Sequence, residues 1–501
     1  MTGLDAGGVP LRDKTVSDPR GSRGRRAGQA DGEARVCSGG GTSRIPCAVA
    51  KRRAGFALLR SGTATRQPYQ CAYQCNGNHA AEPVSSDGSE LRASCELDPP
   101  FRSFTMKELI LATMTLTACA MNETGNVGAP NLGDTSNPAQ RGSPTQELID
   151  ACGQGSGTLA GKMISRQPYL QQVTTTSAIV GWTSTSPDGE YLDVTQPDGT
   201  AVASIPATLE GDHQLWARIA GLLPDTIYCY EVGDGETLVS RTGFRTAPTA
   251  DTTEPVRFLA FGDSGGGGSD QYALLEQMAL FPYRLMIHTG DIAYDDGTLG
   301  QFESNVFHVY ADLFRSIPFF PAAGNHEYNS SSSAAPFRSV FALPDMGGEK
   351  WYSFDWGPIH FAALDTEADY TTQMTWLDQD LAATTLPWKV VYMHRPPYSS
   401  GEHGSDTGLR AKLAPVVEQH HVQLVLSGHD HDYERMQLQN GVQYLVTGGG
   451  GKGTRNVGTS SFTEISVEVI HFVYVEVAGD AMTLHAIDAT GTEFDSVVLA
   501  R

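Results

Sequence analysis

The sequence predicts a β-sandwich domain followed by an α/β domain, and two observations support this fold class. Between about residues 165 and 247, short alternating apolar runs such as "SAIVGWTS" are separated by turn signals, which is typical of strands. From Val256 onward, β-branched and aromatic runs alternate with stretches that carry apolar residues at helical spacing. The 501 residues are enough for two or three domains and a sizeable core.

Charge divides the chain into two unlike parts. Residues 1–105 hold 15 Lys/Arg and 10 Asp/Glu, which leaves 20 basic and 47 acidic residues for the rest of the chain. The net charge of −22 argues against a nucleic-acid partner, which would require a basic face. Only Cys119, Cys152 and Cys229 follow the first part, so the acidic part is not a disulfide scaffold.

Residues 1–105 have no apolar period and are rich in Gly, Arg and Ser. Such a segment cannot bury enough surface to offset its chain entropy, so it is predicted to be disordered or a mis-annotated extension of the gene. Cys71, Cys75 and His79 could suggest a metal knuckle. No second ligand pair follows at zinc spacing, which favours unpaired cysteines instead.

Residues 106–119, "MKELILATMTLTAC", resemble a bacterial lipoprotein signal. The apolar run 109–117 is too short to anchor the chain across a bilayer, and small residues precede Cys119. A short buried helix is the alternative, but the polar segment that follows continues no domain. We therefore expect translation to begin at Met106, a lipid on Cys119 and a flexible tether over residues 120–162.

Residues 163–248 are predicted to form the β-sandwich. In "SAIVGWTS", the alternation places Trp182 on one face with Ala178 and Val180, and "LLPDTIYCYEV" contains Tyr228 at the position of a tyrosine corner. This pattern resembles a fibronectin type III or immunoglobulin-like domain. Cys229 is interpreted as a small buried hydrophobe, with pairing to Cys152 left open.

In the α/β part, five predicted strands each run into residues that can bind a metal ion. The strands and the residues that follow them are "VRFLAF" with Asp263, "RLMIHT" with Asp291, "PFFPAA" with Asn325, "WKVVYM" with His394, and "VQLVLS" with His429 and His431. Glycine directly precedes the ligand after four strands, which predicts a sharp turn with no Cβ in the way. Because ligands bind at the carboxyl edge of α/β sheets, we expect these side chains to meet there.

These side chains offer oxygen and nitrogen donors and no thiolate, which suits Fe, Mn or Zn. There are too many donors for one tetrahedral ion. Two ions that share a carboxylate are the natural interpretation, and such pairs commonly serve phosphoryl transfer.

The motifs GDSG, GDIAY, GNHE, VYMH and GHDH, in this order, resemble the purple acid phosphatases within the calcineurin-like metallophosphoesterases. The resemblance covers roughly residues 255–450 and implies an α/β domain over residues 253–501 with two mixed sheets face to face, flanked by helices. In the wider superfamily the first motif is Asp-x-His, whereas this chain has Gly265 in place of that histidine. The resemblance makes Tyr294 the substitute ligand, as a phenolate that favours iron(III).

The resemblance also implies which residues hold each ion. The first ion, Fe(III), would take Asp263, Asp291, Tyr294 and His431. The second, a divalent Zn, Mn or Fe ion, would take Asp291, Asn325, His394 and His429, so that Asp291 bridges the two.

Two further histidines are predicted to be catalytic from the same resemblance. His326 would contact the substrate or orient the nucleophile, and His403 would protonate the leaving alcohol, as a cation under acid conditions. A solvated loop residue is the alternative for His403. No role is assigned to the other histidines of this domain that stand within strand patterns or at a helix end, namely His288, His360, His420 and His421.

The predicted function is hydrolysis of phosphomonoesters by a metal-bound hydroxide, as in an acid phosphatase acting on small phosphate esters. A phosphodiesterase or nucleotide hydrolase would use the same ions, and an inactive surface-binding protein is a third alternative. The signal predicts a lipid-anchored location in the bacterial cell envelope, or secretion. "VTGGGGKGTR", residues 446–455, lacks the phosphate-loop pattern and is interpreted as a close-packed turn.

Overall fold

The computed structural model describes residues 139–501, except 156–157, 160–161, 212, 234–237, 345–347 and 349. These residues belong to one compact unit, Ala120–Arg501. The predictions for residues 1–105, for the signal with Cys119 and for the first part of the tether lie outside the described residues. The predicted domain boundaries near residues 163, 248 and 253 stay predictions.

Helices occur mainly in the second half of the described chain. They are α1 (Gln146–Cys152), α2 (Ser269–Met278), α3 (Leu299–Phe302), α4 (Ala311–Phe314), α5 (Asn325–Asn329), α6 (Ala335–Val340), α7 (Tyr370–Ala383) and α8 (Thr407–Gln419). A π-helical turn, Glu303–Phe307, joins α3 to α4. The two long helices α7 and α8 begin where the side chains of Asp369 and Asp406 accept hydrogen bonds from backbone N–H groups of the first turn. None of the helices in the described part has the length and apolar character needed to cross a bilayer.

The strands before residue 248 form two antiparallel sheets. They are β1 (Thr158–Leu159), β2 (Lys162–Gln171), β3 (Ser177–Ser184), β4 (Tyr191–Thr195), β5 (Ala201–Pro206), β6 (Thr208–Glu210), β7 (Gln214–Ala220), β8 (Ile227–Gly233) and β9 (Leu238–Arg245). One sheet has the order β1-β2-β3-β7-β6 and the other β5-β4-β8-β9. The Tyr228 hydroxyl accepts a hydrogen bond from the backbone N–H of Leu223 at 2.9 Å, and Trp182 is fully buried. The assignment of this region to the fibronectin type III fold stays a prediction.

Strand β3 is buried on both of its faces, not on one as the alternation predicts. Tyr169 on the neighbouring strand β2 explains part of this burial, because its hydroxyl donates to the carbonyl of Val340 and its ring lies 4.8 Å from that of Phe307. The β2–β3 sheet therefore packs against the helices of the α/β part, and a second apolar face is covered.

Cys152 and Cys229 form a disulfide that ties α1 to β8. The interpretation of Cys229 as a free buried hydrophobe is therefore wrong, and the pairing left open is the one present. Sequence spacing alone could not decide this, because the two cysteines are 77 residues apart and only the fold brings them together.

The strands after residue 255 form two mixed sheets, as predicted. They are β10 (Val256–Phe261), β11 (Leu285–His288), β12 (Phe319–Pro321), β13 (Tyr352–Trp356), β14 (Ile359–Ala363), β15 (Trp388–Tyr392), β16 (Leu424–Ser427), β17 (Tyr433–Met436), β18 (Gln443–Thr447), β19 (Thr463–Val467), β20 (His471–Ala478), β21 (Ala481–Asp488) and β22 (Glu493–Ala500). The sheet orders are β12-β11-β10-β20-β21-β22 and β13-β14-β15-β16-β18-β17-β19.

The two mixed sheets face each other through aromatic contacts. The Phe320 ring stacks on Phe354 at 3.8 Å, and the Phe258 ring meets the face of Phe361 at 5.2 Å. Strands β10, β11 and β12 run parallel in one sheet, and β15 and β16 run parallel in the other. Their carboxyl ends are therefore available to form one site between the sheets.

Candidate metal centre

The loops after β10, β11, β12, β15 and β16 bring together all seven residues that the sequence predicts as metal ligands. They are Asp263, Asp291, Tyr294, Asn325, His394, His429 and His431. All are buried except Asn325, which is partly accessible. The donors form two groups that meet at Asp291.

The first group surrounds the hydroxyl of Tyr294. That oxygen lies 2.9 Å from Asp263 Oδ1, 3.1 Å from Asp291 Oδ2 and 3.1 Å from His431 Nε2. Burial, and then the charges of Asp263 and Asp291, raise the pKa of Tyr294 well above its usual value. A phenolate at this position therefore requires a cation beside it, which would reverse the effect of the two carboxylates.

The second group surrounds Nε2 of His394. It lies 3.2 Å from Asp291 Oδ2, 3.1 Å from Asn325 Oδ1 and 3.1 Å from His429 Nδ1. The other ring nitrogen of His394 donates to the carbonyl of Thr289 at 3.1 Å, which directs Nε2 toward the group. Asp291, His394 and His429 together have the arrangement of a cation site.

The spacing of the donor atoms fits metal binding in both groups. Donor atoms about 2.1 Å from one ion lie about 3.0 Å apart at right angles and about 3.4 Å apart at tetrahedral angles. The contacts made by the Tyr294 oxygen and by His394 Nε2 have these lengths. Asp291 Oδ2 takes part in both sets, so one carboxylate oxygen lies between the two groups.

The protonation of the histidines also fits a cation. Burial lowers the pKa of His394, but the contact with Asp291 outweighs it and raises the pKa to about 9. A proton therefore occupies Nε2 unless a cation replaces it, which is the usual competition at metal sites. Burial and the neighbouring His394 lower the pKa of His429 to about 2, so its ring is neutral and has a lone pair to offer.

The turns after the strands are made by the ligand residues themselves. Asp263, Asp291 and His429 have positive φ angles of 58°, 54° and 71°, a backbone region that costs energy for such residues and is often found at functional sites. The preceding glycines are needed mainly for space. A Cβ on Gly324 would lie 2.2 Å from Asp291 Oδ1, and one on Gly428 would lie 2.4 Å from Asp263 Oδ2.

Glu327 is a supporting residue that the sequence interpretation missed. Its fully buried carboxylate accepts hydrogen bonds from the backbone N–H groups of four residues, Gly324, Asp291, Ile292 and Ala293. It thus joins the loop after β11 to the loop after β12. The sequence signal for Glu327 is its place directly after the predicted His326 in the motif GNHE.

His288 has the structural role that its place in a strand suggests. Its Nδ1 accepts from the backbone N–H of Gly290 at 3.1 Å, and its Nε2 lies 2.9 Å from Ser264 Oγ. Burial and the nearby His394 lower its pKa to about 3, so the ring is neutral. The ring therefore ties the first motif to the second.

The two predicted catalytic histidines contact different residues of the centre. The His326 ring lies 4.3 Å from the Tyr294 ring, and its Nε2 lies 3.7 Å from Asp291 Oδ2. The exposed His403 ring stacks on His429 with centroids 4.1 Å apart. Asp430 accepts from the backbone N–H of His403 at 2.7 Å and so fixes its loop.

A guanidinium group that the sequence interpretation did not foresee contacts His403. Arg455 Nη1 donates to His403 Nε2 and to the carbonyl of His429. Burial and the charge of Arg455 lower the pKa of His403, which favours the neutral ring over the cation that the sequence interpretation expects. Arg455 is the last residue of the glycine-rich segment 446–455, and no feature of the sequence indicates that it lies near the centre.

Parts of this chain are similar to known proteins. Residues 256–433 match the family model described as calcineurin-like phosphoesterase. An uncharacterised protein of Mycobacterium tuberculosis is 31% identical over 274 residues, which cover 44% of this chain and 50% of that protein. "Probable inactive purple acid phosphatase 1" of Arabidopsis thaliana is 27% identical over 299 residues, covering 47% of this chain and 49% of that protein.

A solved structure shares the fold. It is the purple acid phosphatase PPD1 from yellow lupin (Lupinus luteus) seeds, with a TM-score of 0.62 and 21% sequence identity over 67% of this chain and 74% of the lupin chain. The chain spans about half the length of the first curated relatives that it matches.

Proposed function

Because this chain carries a calcineurin-like phosphoesterase domain and is homologous to purple acid phosphatases, we propose that it is an acid phosphatase that hydrolyses phosphomonoesters at a dinuclear Fe(III)–M(II) centre. The observation that carries the proposal is the meeting of two donor groups at Asp291 Oδ2, 3.1 Å from the Tyr294 oxygen and 3.2 Å from His394 Nε2.

Each donor group would hold one ion. Asp263, Asp291, Tyr294 and His431 would hold Fe(III), because the anionic oxygens suit a trivalent ion, and Asp291, Asn325, His394 and His429 would hold Zn, Mn or Fe in the divalent state. When bound, the two ions would polarise the phosphoryl group and lower the pKa of an attacking water.

The remaining chemistry belongs to side chains at the opening of the site. His326, with its Nε2 near Asp291, would donate a hydrogen bond to a phosphoryl oxygen as charge develops there. His403 is the proposed proton donor to the leaving alcohol, and this role requires acid conditions that protonate the ring against the effect of Arg455. Asp430 fixes the loop of His403, so the ring is already held in position before the reaction begins.

Removal of the shared carboxylate tests the site. Asp291→Ala should lower hydrolysis of p-nitrophenyl phosphate at least about 1,000-fold and remove both ions from the purified protein, measured by metal analysis. Asp378→Ala is the matched control, since its carboxylate contacts His420 and Gln419, neither of which belongs to the two donor groups. Hydrolysis that survives in Asp291→Ala would refute the assignment.

The role of His403 is tested with leaving groups of different basicity. His403→Ala should reduce hydrolysis of an alkyl phosphate about 100-fold and that of p-nitrophenyl phosphate far less, because a good leaving group needs little proton donation. Equal losses for both substrates would exclude His403 as the proton donor.

Two alternative functions are separated by simple assays. A phosphodiesterase would hydrolyse bis-p-nitrophenyl phosphate faster than the monoester. An inactive binding protein, an alternative kept because three relatives are named probable inactive purple acid phosphatases, would hydrolyse neither substrate with both ions bound. The complete set of donors favours an active enzyme, since loss of one ligand would already weaken a dinuclear centre.

We further propose a location in the cell envelope, with a lipid on Cys119 and a fibronectin type III-like domain between the tether and the catalytic domain. The disulfide between Cys152 and Cys229 supports an oxidising compartment. Cell fractionation with intact-mass analysis of the native protein tests this. A cytosolic, unlipidated chain that contains peptides from residues 1–105 would contradict it.

A further inference from the structure

The glycine-rich segment 448–455 packs directly on the candidate metal centre. Its backbone N–H groups donate to carbonyls of the predicted ligand motifs: Gly450 to Gly262 at 2.8 Å, Lys452 to Asp263 at 3.0 Å and Arg455 to His431 at 3.0 Å. The segment is the close-packed turn that the sequence predicts. It follows β18 and packs against the ligand motifs that follow β10 and β16.

Two of its glycines are required by this packing. A Cβ on Gly448 would lie 2.0 Å from the carbonyl oxygen of Asp430, and one on Gly450 would lie 2.1 Å from that of Gly262. The glycines thus let the backbone approach the metal motifs. The consequence is that the two cationic residues that follow, Lys452 and Arg455, arrive at the rim of the centre.

Lys452 already has a partner for its charge. Its ammonium group lies 2.6 Å from Asp295 Oδ1 and 4.6 Å from the centre of the Tyr294 ring. Arg395, a third cation at the rim, is held by two hydrogen bonds to Glu367, the shorter at 2.6 Å. These two cations are therefore balanced by carboxylates.

Arg455 differs from both. Among the residues that the structure describes, no carboxylate forms an ion pair with it, and its Nη1 donates to His403 Nε2 and to the carbonyl of His429. Asp432, whose buried carboxyl group feels the charge of Arg455, makes no ion pair with it. Within the described part of the chain, the half-buried guanidinium is thus a cation without an ion-pair partner, in a protein of net charge −22.

The position of Arg455 indicates which part of a substrate would meet it. His403, the proposed donor to the leaving alcohol, is its direct neighbour, so the leaving group departs past the guanidinium. We propose that Arg455 is a specificity-determining residue that binds a second phosphate carried by the leaving group, so that the preferred substrates are bisphosphorylated monoesters. This inference rests on the proposed phosphatase function. A guanidinium binds phosphate oxygens through paired, charge-assisted hydrogen bonds, and it is free to exchange its contacts with neutral groups for them.

The test compares 1,3-propanediol bisphosphate with propyl phosphate, which differ by the second phosphate. We expect the wild-type enzyme to have a kcat/KM at least about tenfold higher for the bisphosphate, beyond the statistical factor of about two. Arg455→Met should lower this preference about 10- to 100-fold, mainly through KM, because it removes charge-assisted hydrogen bonds. The excess salt dependence of KM for the bisphosphate should disappear with it.

Lys452→Met is the matched control within the same loop. Because the charge of Lys452 is balanced by Asp295, the ratio of the two kcat/KM values should stay within about twofold of wild type. Arg455→Lys keeps the charge and serves as the second variant if Arg455→Met does not fold; it should retain part of the preference.

The other outcomes are distinct. A wild-type enzyme that hydrolyses both substrates without preference, or an Arg455→Met variant that loses both activities equally, would overturn this inference and leave the phosphatase proposal standing. A wild-type enzyme with both ions bound that hydrolyses neither substrate would overturn the phosphatase proposal and this inference with it.

Discussion

The hydroxyl oxygen of Tyr294 lies 3.1 Å from Asp291 Oδ2, the same carboxylate oxygen that lies 3.2 Å from Nε2 of His394. One oxygen atom therefore connects a phenol-containing donor group with a histidine-containing one. The two groups differ in charge, and so they are suited to ions of different valence.

Tyr294→Phe should remove the donor that distinguishes the first group. We expect loss of any visible absorption band from a tyrosinate–iron(III) pair and a fall in hydrolysis of about 100-fold or more, because the first ion loses a ligand. Absorption spectra and metal analysis of the two proteins are the measurement. Tyr370→Phe is the control, since its hydroxyl also donates to a carboxylate, that of Asp406. A band that persists in Tyr294→Phe would show that this residue is not the chromophoric ligand.

Gly324→Ala should displace the carboxylate of Asp291 by steric contact with the added Cβ, without straining the backbone. The backbone of Gly324 has a φ of −111°, which alanine adopts freely, but the new Cβ would lie 2.2 Å from Asp291 Oδ1. We expect a loss of stability of about 1–3 kcal/mol and at least a tenfold loss of hydrolysis. Denaturant unfolding and initial rates measure both. Gly268→Ala, at a position with nothing within 4 Å of the added Cβ, should leave both nearly unchanged.

His360, which is not one of the predicted ligands, should make the stability of the protein depend on pH. Burial opposes its protonation, but hydrogen bonds to Asp355 at 2.7 Å and Asp380 at 2.8 Å raise its pKa to about 9. Because the pKa is raised in the folded state, the contribution is fully present below the unfolded value of about 6.5 and is lost as pH rises through about 9.

His360→Gln should accordingly cost up to about 3 kcal/mol at pH 6 and much less at pH 10, measured by urea unfolding at each pH. The wild-type protein, unfolded in urea at the same two pH values, is the reference. A cost for His360→Gln that does not change with pH would contradict the protonated state inferred for this ring.

The disulfide should contribute substantially to stability. It joins residues 77 apart in the sequence, so it restricts a long loop of the unfolded chain. The double variant Cys152→Ser/Cys229→Ser should be less stable by about 2–4 kcal/mol in denaturant unfolding. The wild type with dithiothreitol should behave like the variant. Equal stability of oxidised and reduced wild type would argue against the bond.

Local sequence determined the strand ends and the residues placed on them. The strand "VRFLAF" coincides with β10, and the stretches of helical spacing expected after Val256 are represented by α2, α7 and α8. Apolar periodicity and the glycines at the strand ends are properties of neighbouring residues, so they can be recognised in the sequence without knowledge of the fold. The order of the donor residues is also a local property of the sequence, because each donor stands close after the end of its own strand.

The tertiary structure decided what lies around those donors. Asn305, on the π-helical turn, donates through its side chain to the carbonyls of Gly265 and Tyr294, both at 3.1 Å, yet no local pattern marks it. The disulfide partner of Cys229, the second buried face of β3 and the contact between Arg455 and His403 likewise join residues distant in sequence. Periodicity reports which face of an element is apolar, whereas the partner of that face depends on the packing of the whole chain, which a single sequence does not encode locally.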